Sequence, residues 1–78
     1  MVAALSFEPS AARSAIAARA AFDRGDLEVA TRFYRDALQR ARRLDDAPEI
    51  ARNAYNLAAC RLAAFDTAEA APLLREAR

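Results

Sequence analysis

Apolar residues recur three and four positions apart along most of the chain, the spacing that places side chains on one face of an α-helix. The pattern is clearest in a continuous seam made of Leu27, Ala30, Tyr34, Ala37, Ala41 and Leu44. Just before this seam stands Gly25-Asp26. Glycine accepts the left-handed backbone that ends many helices, and an aspartate can accept hydrogen bonds from the first turn of the next helix. The pattern therefore predicts a tight corner followed by a long amphipathic helix over residues 27–44.

The same spacing predicts a helix on either side of this one. The first runs from about Pro9 to Arg24, because proline suits the first turn of a helix. Its inward residues are predicted to be Ala12, Ala15, Ile16, Ala18, Ala21 and Phe22. The third helix runs from about Pro48 to Ala64. Its inward residues are predicted to be Ile50, Ala54, Leu57, Ala58 and Leu62. Residues 1–8 are expected to form an irregular lead-in.

A fourth helix is predicted from about Thr67 to the end of the chain. Asp66 and Glu69 have the spacing of a capping box, in which a side chain before the helix bonds to a backbone amide three residues later. Pro72 falls about one turn into this helix. Its missing N–H costs little only if the position still belongs to the free first turn.

The two halves of the chain agree when one is laid over the other with an offset of 40 residues. Asp26 then matches Asp66, Ala30 matches Ala70, and Ala37 matches Ala77, while Tyr34 falls on Leu74. Each half is a helix, a corner and a helix. A repeat of this kind and length indicates an α-solenoid, in which antiparallel helix–turn–helix units stack in a row.

At these positions the chain resembles the tetratricopeptide repeat family. The residues that match the family's second-helix signature are Gly25, Asp26, Ala30, Tyr34 and Ala37 in the first copy, and Asp66, Ala70, Leu74 and Ala77 in the second. The first-helix signature is poorly kept, and Arg42 stands where the family has a closing proline. The period of 40 also exceeds the usual ~34 residues, and about six more residues add about 9 Å of helix, expected in helices two and three.

The predicted fold is all-α, a short solenoid of about four helices. A single domain is expected over residues 9–78, with repeat one at about 9–44 and repeat two at about 48–78. The small residues Ala18, Ala30 and Ala37 fit this fold because paired helices approach closely there. Tyr34 is expected to bury its ring and keep its hydroxyl near water, and Gly25 is expected to have a positive φ.

Composition narrows the function classes. The chain of 78 residues has one glycine, three prolines, no histidine and one cysteine. Without histidine, the common zinc sites and the His-based catalytic triads are excluded, and no glycine-rich phosphate loop is present. Ser14 has no base placed beside it by any motif and is interpreted as a cap or a solvated residue, and Cys60 as a small buried side chain. No enzyme, metal or cofactor is expected, and no segment has the length of a membrane span.

The resemblance implies a binding groove lined by the first helix of each repeat. The projected groove residues are Arg19, Phe22, Arg52, Tyr55, Asn56, Ala59 and Leu62. Arg52 and Asn56 are one turn apart and could hold a partner's backbone or carboxylate, while Phe22 and Tyr55 could supply apolar contact. The family's carboxylate-binding pattern is not met, because Ala15 replaces its first basic residue. The plainer interpretation makes Phe22 and Leu62 core residues and leaves the arginines solvated.

Three roles stay open from the sequence. The first is a non-enzymatic scaffold that binds a peptide or helix of a partner protein. The second is self-association through the uncapped fourth helix, or a place within a longer repeat array, since two repeats leave an apolar flank uncovered. The third and most distant is nucleic-acid binding through Arg32, Arg35, Arg40, Arg42 and Arg43. Net charge is only +1, and nearby acidic residues neutralise much of that cluster. A cytoplasmic location is the default expectation, with a mature exported domain as the alternative.

Overall fold

The computed structural model describes the backbone of residues 11–78 and the side chains from Arg13 onward. Four helices follow one another within it: α1 (Ala11–Asp23), α2 (Leu27–Arg43), α3 (Ala47–Ala63) and α4 (Thr67–Glu76). The prediction of an all-α chain of four helices is confirmed. The predicted start of helix one at Pro9 and the lead-in at residues 1–8 lie outside the described residues. The predicted lengthening of the repeat falls in α2 and α3, which have 17 residues each.

The three turns between the helices share one backbone geometry. Gly25, Asp45 and Phe65 have positive φ values of 83°, 54° and 63°. At the first turn the N–H of Gly25 donates to the carbonyl of Phe22 and the N–H of Asp26 donates to the carbonyl of Ala21, both at 2.9 Å. The other two turns repeat this pair of bonds. Such a left-handed residue with two crossed bonds closes the free carbonyls of a helix end, and the predicted positive φ of Gly25 is confirmed.

An aspartate begins each of the next three helices. The carboxylates of Asp26, Asp46 and Asp66 accept a hydrogen bond from the backbone N–H three residues later, at 3.1 to 3.3 Å. Each bond satisfies one of the free amides of a helix start. The capping roles predicted for Asp26 and Asp66 are confirmed. The chain therefore leaves one helix and enters the next within three residues, which forces consecutive helices to lie antiparallel and side by side.

The core is built largely from alanine. Extensive packing occurs between helices that are consecutive in the chain, α1 with α2, α2 with α3, and α3 with α4. Tyr34, Leu38 and Leu57 are the largest apolar side chains buried there, surrounded by small ones. The alanines that are fully buried at helix contacts are Ala18, Ala21, Ala30, Ala37, Ala54 and Ala58. Small side chains allow close helix approach, and the result is a thin layer measuring 45 × 27 × 14 Å.

Three apolar residues predicted to face inward are exposed. Ile16 is 70% exposed, Leu44 is 75% exposed and Leu62 is 44% exposed. Leu44 is the residue that caps α2, so the chain turns away from the core before its side chain can pack. Ile16 and Leu62 lie on helix faces that no neighbouring helix covers. A helix in a single row buries a narrower stripe than its apolar pattern suggests.

Two further expectations are corrected at polar or proline positions. Ser14 is buried rather than solvated, and its hydroxyl donates to Asp36 of α2 at 2.9 Å. Pro72 lies inside α4, beyond the free first turn. Because proline has no N–H, α4 lacks one backbone bond there. The same helix ends at Glu76, with Ala77 as its cap, two residues before the end of the chain.

Candidate functional site

A small groove lies where α1 and α3 run side by side over α2. Four of the residues predicted for a groove line it: Arg19 and Phe22 from α1, and Asn56 and Ala59 from α3. Its volume is about 120 Å³. Pockets for drug-sized ligands usually measure about 300–1,000 Å³, so this groove accommodates one side chain of a larger partner rather than a whole small molecule.

Two residues that the sequence pattern did not assign to the groove also line it, Asp23 and Tyr34. Tyr34 is only 3% exposed and belongs to the core cluster, so its ring forms the floor. Burial raises the pKa of its hydroxyl; Cys60 and Asp23 raise it further, while Arg19 lowers it. The phenol therefore stays protonated at neutral pH and keeps its O–H as a donor. The expectation that Tyr34 buries its ring is confirmed.

The charges at the groove are balanced. The Nε of Arg19 donates to Oδ1 of Asp23 at 3.2 Å, one turn further along α1, and both side chains are well exposed. An exposed pair of this kind contributes little to stability, about 0–1 kcal/mol. Its effect on recognition is larger, because it leaves no net charge beside the apolar floor. The arrangement favours a partner segment that enters with an uncharged side chain.

Asn56 supplies the groove's uncharged polar side chain. Its amide offers two donors and one acceptor, the combination that pairs with a peptide backbone. Ala59 lies beside it on the next turn of α3 and keeps the groove open, since any larger side chain there would fill it. Together they form a polar wall and a gap on the same helix.

Three other predicted groove residues lie outside this lining. Arg52 is exposed near the start of α3, and its Nη1 donates to Glu49 at 2.6 Å. Tyr55 is 60% exposed and Leu62 is also exposed, so both stand on the surface around the groove rather than inside it. Ile16 joins this surface, because it is the counterpart of Asn56 at the offset of 40 residues. That offset was the signal that could have identified Ile16 from the sequence.

The repeat-defining positions differ between the two copies. In the first, Ala30, Tyr34 and Ala37 are all buried. In the second, Ala70 is buried, but Leu74 is partly exposed and its neighbour Leu73 faces the core instead. The difference arises because α4 packs against α3 alone, whereas α2 packs against helices on both sides.

A wider cleft of about 760 Å³ opens on the other side of the molecule, between α2 and α4. Arginines and acidic residues face each other across it. Arg35 pairs with Glu69, Arg42 donates from Nε to Glu76 at 2.8 Å, and Arg61 donates to Thr31 at 2.9 Å. Hydrogen bonding from Arg42 lowers the pKa of Glu76, since it stabilises the carboxylate. The arginine cluster is thus drawn into contacts between the two repeats.

The Asp36 carboxylate joins α1 to the same side of α2. It accepts hydrogen bonds from Ser14 and from Nε of Arg40, both at 2.9 Å. Burial alone would raise the pKa of Asp36, but the bonds from Arg40 and Ser14 outweigh it and the pKa is lowered. The serine therefore donates to a fixed anion, and its oxygen is not activated as a nucleophile.

Cys60 is fully buried, as predicted, and burial raises the pKa of its thiol. Among residues 11–78, no group of three side chains that ligate metals comes together. None of the four helices combines the length and hydrophobicity needed to cross a bilayer.

Comparison with known proteins identifies one family. The chain matches the family described as tetratricopeptide repeat over residues 10–78. No curated protein and no solved structure matches it.

Proposed function

Because the chain belongs to the tetratricopeptide repeat family, whose repeats generally mediate protein–protein interactions, we propose that it binds a peptide or helix of a partner protein in the groove between α1 and α3. The observation that supports this most is the convergence of Arg19, Phe22, Asn56 and Ala59 on one opening. These residues come from the first helix of each repeat. The clearest repeat signature lies in α2, which mainly serves as scaffold.

The chemistry of the groove suggests what it takes. An apolar side chain of the partner would sit between Phe22 and Ala59, over the ring of Tyr34. The amide of Asn56 would bond to the partner's backbone, fixing the direction of the chain. Because Arg19 is already paired with Asp23, an uncharged anchor fits better than a charged one.

The surface around the groove would extend the contact. Tyr55 is exposed beside Asn56 and offers a broad ring, the kind of side chain that contributes most at interfaces. Arg52 lies one turn before Asn56 and is held by Glu49, so it would meet a partner's carboxylate only by exchanging that ion pair. We therefore assign Tyr55 the larger share of the binding energy.

Peptides selected from a random library on the full chain would test this proposal by calorimetric titration. Ala59→Glu should weaken binding at least about tenfold, because it fills the gap and adds a charge, and Asn56→Ala should weaken it by about 1 kcal/mol or more. Gln39→Ala is the matched control, an amide removed from the opposite cleft. Unchanged affinity in Ala59→Glu, with retained helicity, would rule out this groove as the binding site.

Self-association is the second candidate, and it has its own support. Phe65 is 91% exposed, and Leu62 and Leu74 also present apolar surface in the second repeat. Large exposed apolar side chains are frequent in protein contacts. Sedimentation velocity across a micromolar series, with Leu74→Glu for comparison, tests it. A concentration-independent monomer would remove this candidate. Nucleic-acid binding has weaker support, because Arg35, Arg40 and Arg42 are each engaged with an acidic side chain.

A further inference from the structure

A second opening lies on the outer side of the first repeat, away from α3. It measures about 410 Å³, and its wall is formed by Ala17 of α1 and Phe33 of α2. Phe33 is partly exposed there. Around this apolar wall stand the polar residues Arg13, Ser14, Arg32 and Asp36. We call this opening the outer pocket.

The internal repeat shows how such a face is covered. The counterparts of the outer-pocket residues, 40 positions later, are Asn53, Ala54, Leu57, Pro72, Leu73 and Glu76. Asn53, Ala54, Leu57 and Leu73 are all less than 9% exposed. They are buried because α2 precedes α3 and packs on it, and Leu38 of α2 shares a core cluster with Leu57 and Leu73. The chain just before a repeat therefore closes that repeat's outer face.

The same offset identifies the chain that precedes the first repeat. Met1 is the counterpart of Ala41, which is buried, and Val2 is the counterpart of Arg42. Arg42 bonds to Glu76, and the counterpart of Glu76 is Asp36, an outer-pocket residue. The register thus brings the first residues of the chain to the rim of the outer pocket.

The composition and length of this segment fit the pocket. Residues 1–7 read Met-Val-Ala-Ala-Leu-Ser-Phe and carry no side-chain charge, while Glu8 is opposite in sign to Arg32, which borders the pocket. Ala17 lies six positions into α1, about 9 Å from its start. The ten residues before α1 can extend over about 30 Å, so they reach the pocket easily.

We propose that residues 1–7 occupy the outer pocket of their own chain, with the side chains of Val2 and Leu5 against Phe33. A second copy fits less well, because α4 ends at Glu76 and lacks the last turns with which α2 covers the second repeat. The occupied pocket would leave the groove between α1 and α3 as the surface open to partners. This inference concerns a different face and does not depend on the proposed function.

NMR on the full chain tests the proposal, using labelled Val and Leu methyl groups and the ring protons of Phe33. Nuclear Overhauser effects are expected between Phe33 and Val2 or Leu5, with unchanged intensity on dilution. Leu5→Ser should shift the Phe33 ring resonances. Leu44→Ser removes an equally apolar side chain that is exposed elsewhere, and it should leave those resonances in place.

Two results would overturn the proposal. If the effects occur only between labelled and unlabelled chains in a mixed sample, the occupant is a second copy. If the Phe33 ring shows no contact with residues 1–7 and does not respond to Leu5→Ser, the pocket is open to another molecule.

Discussion

Residues 25, 45 and 65 hold the same left-handed position in three turns, but they are a glycine, an aspartate and a phenylalanine. Their substitution therefore measures the cost of backbone conformation at three matched sites. The proposed variants are Gly25→Ala, Asp45→Gly and Phe65→Gly. The first should destabilise the protein and the last should stabilise it.

The magnitudes follow from the geometry of each site. A Cβ added at Gly25 would have no atom within 4 Å, so the substitution is free of clashes. The left-handed conformation costs a non-glycine residue about 1–2 kcal/mol, and the reduced freedom of the unfolded chain returns about 0.4–1 kcal/mol. Gly25→Ala should therefore cost about 1 kcal/mol.

Phe65→Gly should show the reverse effect. Its side chain is almost fully exposed, so little burial is lost, and the free energy of unfolding should rise by about 0.5–1 kcal/mol. Asp45→Gly should have a smaller effect, because aspartate tolerates this region better than most residues. In a domain of this size, 1 kcal/mol corresponds to a change in Tm of about 4–8 °C.

Urea unfolding followed by circular dichroism provides the assay, with the same slope required of each variant. Ala64→Gly is the matched control, because Ala64 precedes Phe65 but has a φ of −93°, and glycine should destabilise it. If Gly25→Ala is neutral, or if Phe65→Gly and Ala64→Gly change stability in the same direction, the left-handed residue is not what determines the energy of these turns.

Three further outcomes are expected. Ala58→Leu should lower the free energy of unfolding by about 1–3 kcal/mol in urea titrations, because Ala58 is fully buried where helices meet; a neutral effect would contradict close packing there. Glu76→Gln should cost less than about 1 kcal/mol, because its bond with Arg42 is partly exposed. Since Arg42 lowers the pKa of Glu76 in the folded state, this advantage is present above the ordinary pKa of about 4.3 and is lost as the pH falls through the folded value; an equal difference at pH 2 and pH 7 would refute it. Cys60 should react with Ellman's reagent far more slowly in the native protein than in denaturant, because its buried thiol has a raised pKa, and prompt native labelling would contradict this.

The helices and their starts were predictable because local chemistry determines them. Gly25 and Asp26 act through bonds to residues within five positions, and the same holds for Asp66. The left-handed Phe65 was not predicted, since nothing in a phenylalanine favours that conformation. The 20-residue spacing that links it to Gly25 and Asp45 is the signal that could have revealed it.

Burial was harder to predict because it depends on which helices are neighbours. Ile16 and Leu62 have helical apolar spacing, yet they lie on faces that remain open. Ser14 is buried only because Asp36, 22 residues away in the chain, is placed opposite its hydroxyl. Such pairings follow from the packing of α1 on α2 and have no local signature.

The groove was predicted in part for the same reason. Arg19, Phe22, Asn56 and Ala59 share one helix face in each repeat, so the offset of 40 residues brings them together. Tyr34 and Asp23 joined them for reasons of depth and helix end. Tyr34 rises from α2 to the groove floor, and Asp23 is the last residue of α1.

The packing of each helix on its chain neighbours has a kinetic consequence. Contacts between residues close in sequence give a low contact order, and chains of this kind fold in microseconds to milliseconds. Structure can form first at any one hairpin and spread to the next. Helix α4, which has a neighbour on one side only, should open first and show the fastest amide hydrogen exchange among the four helices, so the chain unravels from that end while the α1–α2 hairpin persists.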